Sequence, residues 1–411
     1  MVGLYRREGP IFIIGAVSVA HFISHIYLLA FPPLFPILGS YFDVTIGQLG
    51  LLVTAIYIPQ FLLQLPLGVV VDRIGAKRVL VGGLFLTSGA IAVAGLAPTF
   101  WILLVFAFIS GIGQSVFHPA DYALLNVSTN PANEGKGFSA HTFAGFAGFA
   151  AAPIIIGGIG IAIDWRLALL VTGLAGLVFT VLFMIFVPPI YSRELASQTP
   201  ETPPIGTIIR NTVAHVRQWN LLAVFGFYFL SMVAIVGLQS FTTVLGVDSF
   251  GFGESMANNL LTAHMAATAI GVLLGGPLAD RLPFRGVIIA TFALCALTVW
   301  LAATVVAPGV ILAFAILSCA GLFIGAALPS RDRLANATGD ADSSGTRFGF
   351  FFTGVSLGAT ISPAVLGFVI DHISIELAFM LIGGSLFAGA LVVALMRLVF
   401  GPAAGRGGQA I

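Results

Sequence analysis

Twelve long runs of mostly apolar residues, separated by short polar connections, dominate this sequence. A helix needs about 20 apolar residues to cross the hydrocarbon core of a bilayer, and each run is long enough. Within lipid every backbone N–H and C=O group needs an internal partner, which only helices and closed barrels provide. None of the runs shows the alternation with period two that is typical of a barrel strand. The sequence therefore predicts an all-α integral membrane protein with twelve transmembrane spans, near residues 11–38, 47–71, 79–97, 99–127, 138–161, 165–189, 219–245, 254–279, 286–306, 309–337, 346–370 and 374–400.

The composition indicates that lipid is the surrounding solvent. Of the 411 residues, 58% are hydrophobic and 8% are charged, whereas a soluble domain has roughly 45–50% apolar and about 25% charged residues. The formal net charge of +1 gives no basic field that would bind nucleic acid. Cys295 and Cys319 lie in apolar runs and offer neither a disulfide framework nor metal-ligand spacing. The lipid bilayer is therefore the expected partner, and a nucleic acid is not.

The distribution of Lys and Arg predicts the orientation of the chain. Of its 17 Lys and Arg residues, Arg166 alone falls on the far side from the N-terminus. Arg331 and Arg333 lie near the end of span 10, and all the others share the N-terminal side. Basic connections stay in the cytoplasm, so both termini are expected there. A compact multi-pass chain with short loops is typical of a prokaryotic inner membrane, which is the plasma membrane of such a cell.

A polar stretch rich in proline divides the chain. Residues 190–218 interrupt the apolar pattern and are predicted to form a cytoplasmic linker. It would join an N-terminal six-helix bundle, residues 1–189, to a C-terminal six-helix bundle, residues 219–411.

The two halves also repeat each other in sequence. A glycine and an Asp-Arg pair close span 2 and recur at the end of span 8, and further matches link span 4 to span 10 and span 5 to span 11. Two related bundles with a substrate site near their interface are the plan of a secondary transporter. The matched residues are Gly68, Asp72 and Arg73 with Gly276, Asp280 and Arg281, Pro119 with Pro329, Gly148 and Pro153 with Gly358 and Pro363, and Asp164 with Asp371.

The loop after span 2 carries a glycine, an Asp-Arg pair, a second glycine and two basic residues. It resembles the signature loop of the major facilitator superfamily, and the resemblance extends over nearly the whole chain. It implies transport by alternating access, with a cytoplasmic gate in which Asp72 lies near the start of span 11, close to Arg347. Asp280 would mirror this contact near Lys136 of span 5. The gate residues so implied are Gly68, Asp72, Arg73, Gly75, Lys77, Arg78, Gly276, Asp280, Arg281 and Arg347.

Three shorter strings resemble the fosmidomycin resistance group of this superfamily. They are residues 115–119 in span 4, 18–21 in span 1 and 371–377 before span 12. That group has a glutamate after the His-Pro of span 4, where this chain has Ala120 and then Asp121, and an acid in span 1 where this chain has His25. The resemblance implies drug export, so an antiporter that removes an antibiotic is one alternative function.

Four ionisable side chains in spans 1 and 4 need an explanation, because an ionisable group inside a membrane helix costs roughly 2.5–3.5 kcal/mol. His21 and His25 lie one helical turn apart, and His118 and Asp121 share a face of span 4. Histidine titrates near neutral pH, and an aspartate that moves between two environments can bind and release a proton. His21 and His25 are therefore predicted to relay protons or to bind an anion. Asp121 with His118 is predicted to couple protons to transport. The structural alternatives are neutral histidines bonded to neighbouring helices and an aspartate in a static ion pair.

Arg331, Asp332 and Arg333 occupy the place in span 10 that corresponds to His118 and Asp121 in span 4. Because a guanidinium donates a fork of N–H groups to carboxylates and phosphates, Arg331 is predicted to clamp an anionic substrate or to pair with Asp121 across the cavity. The alternative is snorkelling to the cytoplasmic interface. The predicted pathway also includes the amides Gln60, Gln114 and Gln239, although interhelical bonding is the more common role for such groups and is assigned to His141 and His264.

Small residues recur at every fourth position in spans 5 and 11. Such stripes allow helices to pack closely, and the superfamily resemblance implies that they pack at the interface between the two halves. The stripes consist of Ala144, Gly148 and Ala152, and of Gly354, Gly358 and Ser362.

The sequence offers no other energy source and no reaction chemistry. It contains no Walker loop, no zinc-ligand spacing and no convincing nucleophile constellation. An enzyme, a cofactor and a metal are therefore not expected. The predicted function is secondary active transport of a small organic solute, an organic anion, coupled to protons in a monomer that contains both halves. A receptor or scaffold that binds a solute without moving it is the alternative of another class.

Overall fold

The computed structural model describes residues 10–129, 134–188, 206, 218–338 and 344–400. Every regular element in these ranges is helical. A 3-10 turn lies at Pro32–Leu34, and π turns lie at Pro153–Gly157 and Leu245–Ser249. The α-helices are α1 (Pro10–Leu28), α2 (Phe35–Phe42), α3 (Ile46–Ile74), α4 (Ala76–Ala94), α5 (Phe100–Gln114), α6 (Phe117–Ser128), α7 (Glu134–Ala152), α8 (Gly158–Ala162), α9 (Trp165–Phe186), α10 (Trp219–Val244), α11 (Glu254–Arg281), α12 (Phe284–Thr304), α13 (Val310–Asn336), α14 (Ser344–His372) and α15 (Ile375–Phe400).

The described residues contain twelve stretches long and apolar enough to cross a membrane, which confirms the predicted spans. Span 1 consists of α1 and α2, span 4 of α5 and α6, and span 5 of α7 and α8, while spans 2, 3 and 6 are α3, α4 and α9. Spans 7 to 12 are α10 to α15 in order. On span 6, Leu174, Val178, Val181 and Ile185 are exposed at helical spacing. Such an outward apolar stripe suits a helix whose outer face contacts lipid.

Span 4 is broken just before its histidine and aspartate. Pro119 has no N–H group to bond the carbonyl of Ser115, and α5 and α6 are separated at residues 115–116. His118 and Asp121 therefore lie in the first turns of a new helix, α6, which packs on α1. The proline break thus places both side chains beside span 1.

Helix packing repeats between the two halves. Spans 1 and 5, 2 and 4, 3 and 6, and 3 and 4 pack together in the first half. Spans 7 and 11, 8 and 10, 9 and 12, and 9 and 10 do so in the second half. Because these are the same pairs shifted by six spans, the prediction of two pseudo-symmetric six-helix bundles is confirmed. The domain boundaries stay a prediction, since the linker lies outside the described residues except for positions 206 and 218.

The halves meet where span 2 packs on span 11 and where span 5 packs on span 8. Hydrogen bonds cross between the halves near the connections between spans 1 and 2 and between spans 11 and 12. We call this the distal end, because it lies opposite the chain termini. The bonds join Gly47 to Asp371, Thr54 to Thr360, Thr243 to Pro32, and Asn258 to Pro153.

The small-residue stripes face a neighbouring helix of the same half, so the expectation that they lie between the halves was wrong. A side chain at Gly148 would collide with the carbonyl of Phe22 in span 1. One at Gly358 would be 2.5 Å from the carbonyl of Phe229 in span 7. The stripes therefore pack span 5 on span 1 and span 11 on span 7, and the first of these contacts sets the distance between the helices that carry His21 and His141.

Candidate transport site

Four histidines and one aspartate from three helices converge inside the N-terminal half. His21 and His25 lie on α1, His118 and Asp121 on α6, and His141 on α7. We call these five residues the histidine cluster. The ring centroid of His21 lies 4.3 Å from that of His25, 5.8 Å from that of His118 and 3.9 Å from that of His141. The four ionisable residues that the sequence analysis singled out in spans 1 and 4 are thus neighbours in space.

Asp121 is fully buried at the centre of the histidine cluster. Its Oδ2 lies at hydrogen-bond distance, 3.2 Å, from Nδ1 of His21, and 3.7 Å from Nε2 of His141. Its Oδ1 and both ring nitrogens of His141 have no hydrogen-bond partner among the described residues. An imidazole can be neutral or charged, whereas Arg keeps its charge. The charge opposite this carboxyl can therefore change by protonation.

Gly145 allows span 5 to approach span 1 at the cluster. A Cβ atom at Gly145 would be 2.6 Å from the ring of His21 and 2.8 Å from that of His25. A residue without a side chain lets two membrane helices approach closely. The imidazoles of span 1 therefore pack directly against the backbone of span 5 and against His141.

The C-terminal half contributes an arginine and an aspartate that lie next to each other on α13. Nε and Nη2 of Arg331 each lie 3.1 Å from Oδ1 of Asp332, and the hydroxyl of Tyr228 donates to the same oxygen at 3.4 Å. The guanidinium also lies over the ring of Tyr228, 4.9 Å from its centroid, in a cation–π contact. The side chain of Arg331 is 14% exposed and that of Asp332 is 56% exposed. We call Arg331 and Asp332 the arginine pair.

Tyr122 connects the histidine cluster to the arginine pair. Its ring centroid lies 6.0 Å from that of His118 and 6.0 Å from that of His141. It is also close enough to Arg331 and Asp332 to interact with both charges. Since 38% of Tyr122 is exposed, its ring borders a space between the halves rather than a closed core.

Phe352 of span 11 provides a second connection. Its ring lies 6.3 Å from that of His118 in the N-terminal half and 6.4 Å from that of Tyr228 in the C-terminal half. The histidine cluster and the arginine pair therefore border one shared space between the two bundles, lined in part by aromatic rings.

Three members of the cluster have the geometry of a possible metal site. His21, Asp121 and His141 place one nitrogen or oxygen atom each within 4.8 Å of one another, and zinc accepts such ligands at about 2.0–2.2 Å. In this structure Nδ1 of His21 and Oδ2 of Asp121 lie at hydrogen-bond distance from each other, and that bond requires one proton shared by the two atoms.

The three amides assigned to the pathway have other surroundings. Gln60 donates to the carbonyl of Ile56 in its own helix at 3.1 Å, and Gln114 donates to the carbonyl of Ser24 in span 1 at 2.8 Å. Gln239 is buried in span 7. Gln114 thus joins span 4 to span 1 beside the histidine cluster. This is the interhelical bonding that the sequence analysis gave as the alternative role for such an amide.

Lys77, in the basic loop after span 2, contacts the end of span 6. Lys77 donates to the carbonyls of Met184, at 2.9 Å, and of Val187. These carbonyls lie at the end of span 6, where a helix favours a positive charge. Lys77 therefore fixes the start of span 3 to the end of span 6.

Asp280 pairs within its own half. Its Oδ1 lies 2.6 Å from Nη2 of Arg333 in span 10, so the expected approach to Lys136 of span 5 is not seen in this structure. Arg333 is nearer because spans 8 and 10 pack side by side. The side chain of Arg347 lies outside the described part of the chain, and the contact of Asp72 with span 11 stays a prediction.

His141 and Asp332 belong to the site although the sequence analysis did not assign them to it. His141 falls at helical spacing with Gly145, Gly148 and Ala152, on the face of span 5 that packs on span 1. That spacing is a signal that could have identified it. Asp332 also carried a signal, because it is an ionisable residue inside a span, but consecutive residues on a helix do not normally face each other, so its contact with Arg331 was not expected.

Comparison with known proteins settles the family. A family model described as Major Facilitator Superfamily matches residues 17–257 and 227–410, so it covers both halves. The chain belongs to the Major Facilitator Superfamily.

Curated Major Facilitator proteins are similar over most of their length. The fosmidomycin resistance protein of Escherichia coli is 28% identical over 387 residues, covering 89% of this chain and 88% of that protein. The "Probable sulfoacetate transporter SauU" of Cupriavidus necator is 26% identical over 408 residues, covering 92% of each. The multidrug resistance protein MdtH of Cronobacter sakazakii is 25% identical over 363 residues, covering 84% of each. One of these names is that of a transporter and two are those of resistance proteins, and the compounds that they name differ.

A solved Major Facilitator structure has the same fold. It is a bacterial homologue of the human lysosomal transporter Spinster, in an inward-facing and unoccupied conformation. It is 16% identical in sequence, with a TM-score of 0.70 that covers 94% of this chain and 95% of that one. The present chain is therefore a multi-pass membrane transporter with the Major Facilitator fold.

Proposed function

We propose that this Major Facilitator transporter moves a small organic acid by alternating access and couples the movement to protons. The observation that carries the proposal is the meeting of two chemically different groups at one space between the halves. One group is a buried carboxyl whose charge partners are histidines, and the other contains a permanent cation. The histidine cluster would handle the proton, and Arg331 would hold the acid.

The surroundings of Asp121 favour proton coupling. Its ion-pair contacts among the described residues are with His21 and His141. An ionised carboxylate in an apolar interior is costly unless it is paired, so the stability of the buried cluster depends on where its protons lie. A rocking motion that exposes the cluster first on one side and then on the other would let a proton enter and leave on opposite sides of the membrane.

The surroundings of Arg331 favour an acid as the transported compound. Its guanidinium is permanently charged and donates N–H groups in a flat fork that matches a carboxylate or a phosphonate. One edge of the fork bonds Asp332. The contacts with Asp332 use Nε and Nη2, and Nη1 is the nitrogen that would donate to a bound acid. The contact with Tyr228 holds the guanidinium in place.

The contacts between the halves favour alternating access. Bonds such as that between Gly47 and Asp371 close the distal end, and the distribution of Lys and Arg puts this end outside the cell. The structure then corresponds to an inward-facing state in a bacterial inner membrane, with both termini in the cytoplasm. One chain contains both halves, so a monomer forms the complete path.

A thermal-shift screen on the purified protein tests the proposal. The probes are propionate, propylphosphonate, sulfoacetate and fosmidomycin, applied to the wild type and to Arg331→Gln. A compound that binds the folded state at 100 times its Kd stabilises it by about 2.7 kcal/mol. We expect stabilisation by an acid in the wild type and none in Arg331→Gln. Arg333→Gln, which removes the neighbouring guanidinium, is the matched control and should respond like the wild type.

Efflux of a drug is the second candidate, because two of the relatives named above are resistance proteins. In that case neutral or cationic amphiphiles would stabilise the protein, and Arg331→Gln would not change the shift. A drug-sensitive host would also gain resistance when it expresses the chain. That pair of results would replace the organic acid with a drug and leave Arg331 a structural role.

A further inference from the structure

The arginine pair has an unusual geometry. Side chains of consecutive helical residues point about 100° apart, so they do not normally meet. Nevertheless Nε and Nη2 of Arg331 both reach Oδ1 of Asp332. The Arg331 side chain therefore bends along the helix surface toward its neighbour, over the ring of Tyr228.

The two oxygens of Asp332 are used unequally. Oδ1 takes both N–H groups of Arg331 and the hydroxyl of Tyr228. Oδ2 makes no hydrogen bond within the described residues, and the side chain is 56% exposed. The carboxylate thus presents an open acceptor oxygen to the same space that Arg331 borders. Nη1 of Arg331 and Oδ2 of Asp332 are the two atoms of the pair that the Arg331–Asp332 contacts do not use.

The charges of the pair balance each other. A plain acid that binds Arg331 brings a second negative charge beside Asp332, and like charges at this distance repel. An acid that also carries an ammonium group would instead place its positive charge on Asp332. The rings of Tyr122 and Phe352 border the same space, and aromatic faces attract a cation.

We propose that Arg331 and Asp332 together recognise an amino-substituted acid, with the acid group on Arg331 and the ammonium group on Oδ2 of Asp332. Asp332 is then the residue that selects amino acids of this type over plain acids of the same length. The inference rests on the proposed function, because it requires an acid at Arg331. It adds the second half of the ligand and a residue that determines specificity.

Matched pairs of probes test this inference on the full-length protein. β-Alanine differs from propionate, and 3-aminopropylphosphonate from propylphosphonate, by one ammonium group. From the strength of partly exposed charge pairs, we expect the amino compound of each pair to bind the wild type about fivefold more tightly. In Asp332→Asn the ratio should fall to about one, because the ammonium loses its partner while the plain acid loses its repulsion.

Two control variants test whether the preference for the amino compound depends on the negative charge at residue 332. Asp280→Asn breaks the pair of Asp280 with Arg333 and should leave the wild-type ratio unchanged. Asp332→Glu, which keeps the charge, should retain a preference for the amino compound. If acids bind in an Arg331-dependent way but each plain acid binds as well as its amino partner, the inference is overturned and the proposed function stands. If no acid of either kind binds in an Arg331-dependent way, the proposed function fails, and the inference fails with it.

Discussion

Asp371 accepts a hydrogen bond from the backbone N–H of Gly47 across the boundary between the two halves, at 2.9 Å. Gly47 lies in the first turn of α3, where Thr45 and Gln48 form a reciprocal cap. The free N–H groups at the start of a helix attract a negative charge. The carboxylate thus closes the distal end by binding the positive end of span 2. Asp164, its counterpart in the sequence repeat, instead caps span 6 within its own half.

We predict that Asp371→Asn weakens the distal closure. The amide keeps an acceptor oxygen but loses the charge that the helix terminus favours. Amide hydrogen exchange in residues 46–54, followed by mass spectrometry, should accelerate about fivefold, as expected for the loss of roughly 1 kcal/mol. Asp164→Asn is the matched control, and it should leave exchange at residues 46–54 unchanged. Equal exchange in the wild type and in Asp371→Asn would refute the closing role.

We also predict that a methyl group added between spans 2 and 11 lowers the stability of the folded protein. A Cβ atom at Gly50 would be 2.5 Å from the carbonyl oxygen of Pro363, which is backbone and cannot turn aside. Gly50→Ala should therefore lower the free energy of unfolding by about 1–3 kcal/mol, as overpacking does. Gly82→Ala is the control, because nothing lies within 4 Å of its Cβ position. The control should be neutral or slightly stabilising, since alanine favours a helix. Melting temperatures that fall equally in both variants would contradict the close approach.

The spans and the repeat could be predicted from sequence because both depend on local patterns. Each span is a run of apolar residues, and the repeat, including the match of Asp72 with Asp280, is found by comparing the two halves of the sequence. The partners of the buried charges could not be predicted in the same way. Asp121 meets His21 and His141, which lie far away in sequence. Such contacts depend on which helices pack together. The spacing of apolar residues along the sequence carries little information about helix packing.

The small-residue stripes illustrate the same limit. The sequence indicated correctly that Gly148 and Gly358 permit close packing, but not which helix approaches them. In the structure span 1 packs on Gly148 and span 7 packs on Gly358, while Gly47 of span 2 and Gly367 of span 11 form a close contact between the halves. Glycine has no side chain whose chemistry could indicate which helix packs against it.

Replacing two buried histidines with phenylalanine should affect two different properties: stability for His264 and proton uptake for His141. Nδ1 of His264 lies 2.8 Å from the carbonyl of Leu317, so His264→Phe loses a buried hydrogen bond and should cost about 1–3 kcal/mol of stability. His141 makes no hydrogen bond among the described residues. His141→Phe should therefore cost less stability but reduce proton uptake during transport, because His141 faces Asp121. Unfolding by intrinsic fluorescence and proton uptake by a trapped pH dye measure the two effects. The reverse pattern would return His141 to a structural role.

The central claim is that Asp121 couples protons to transport, and proteoliposomes test it most directly. The acid with the largest Arg331-dependent thermal shift is used as substrate, and accumulation driven by a pH gradient is compared with exchange at equal pH. We expect Asp121→Asn to exchange the acid at a rate near that of the wild type, because the arginine pair is intact, but not to accumulate it in response to the gradient. Accumulation by Asp121→Asn to the wild-type level would contradict the account and place the coupling elsewhere in the chain.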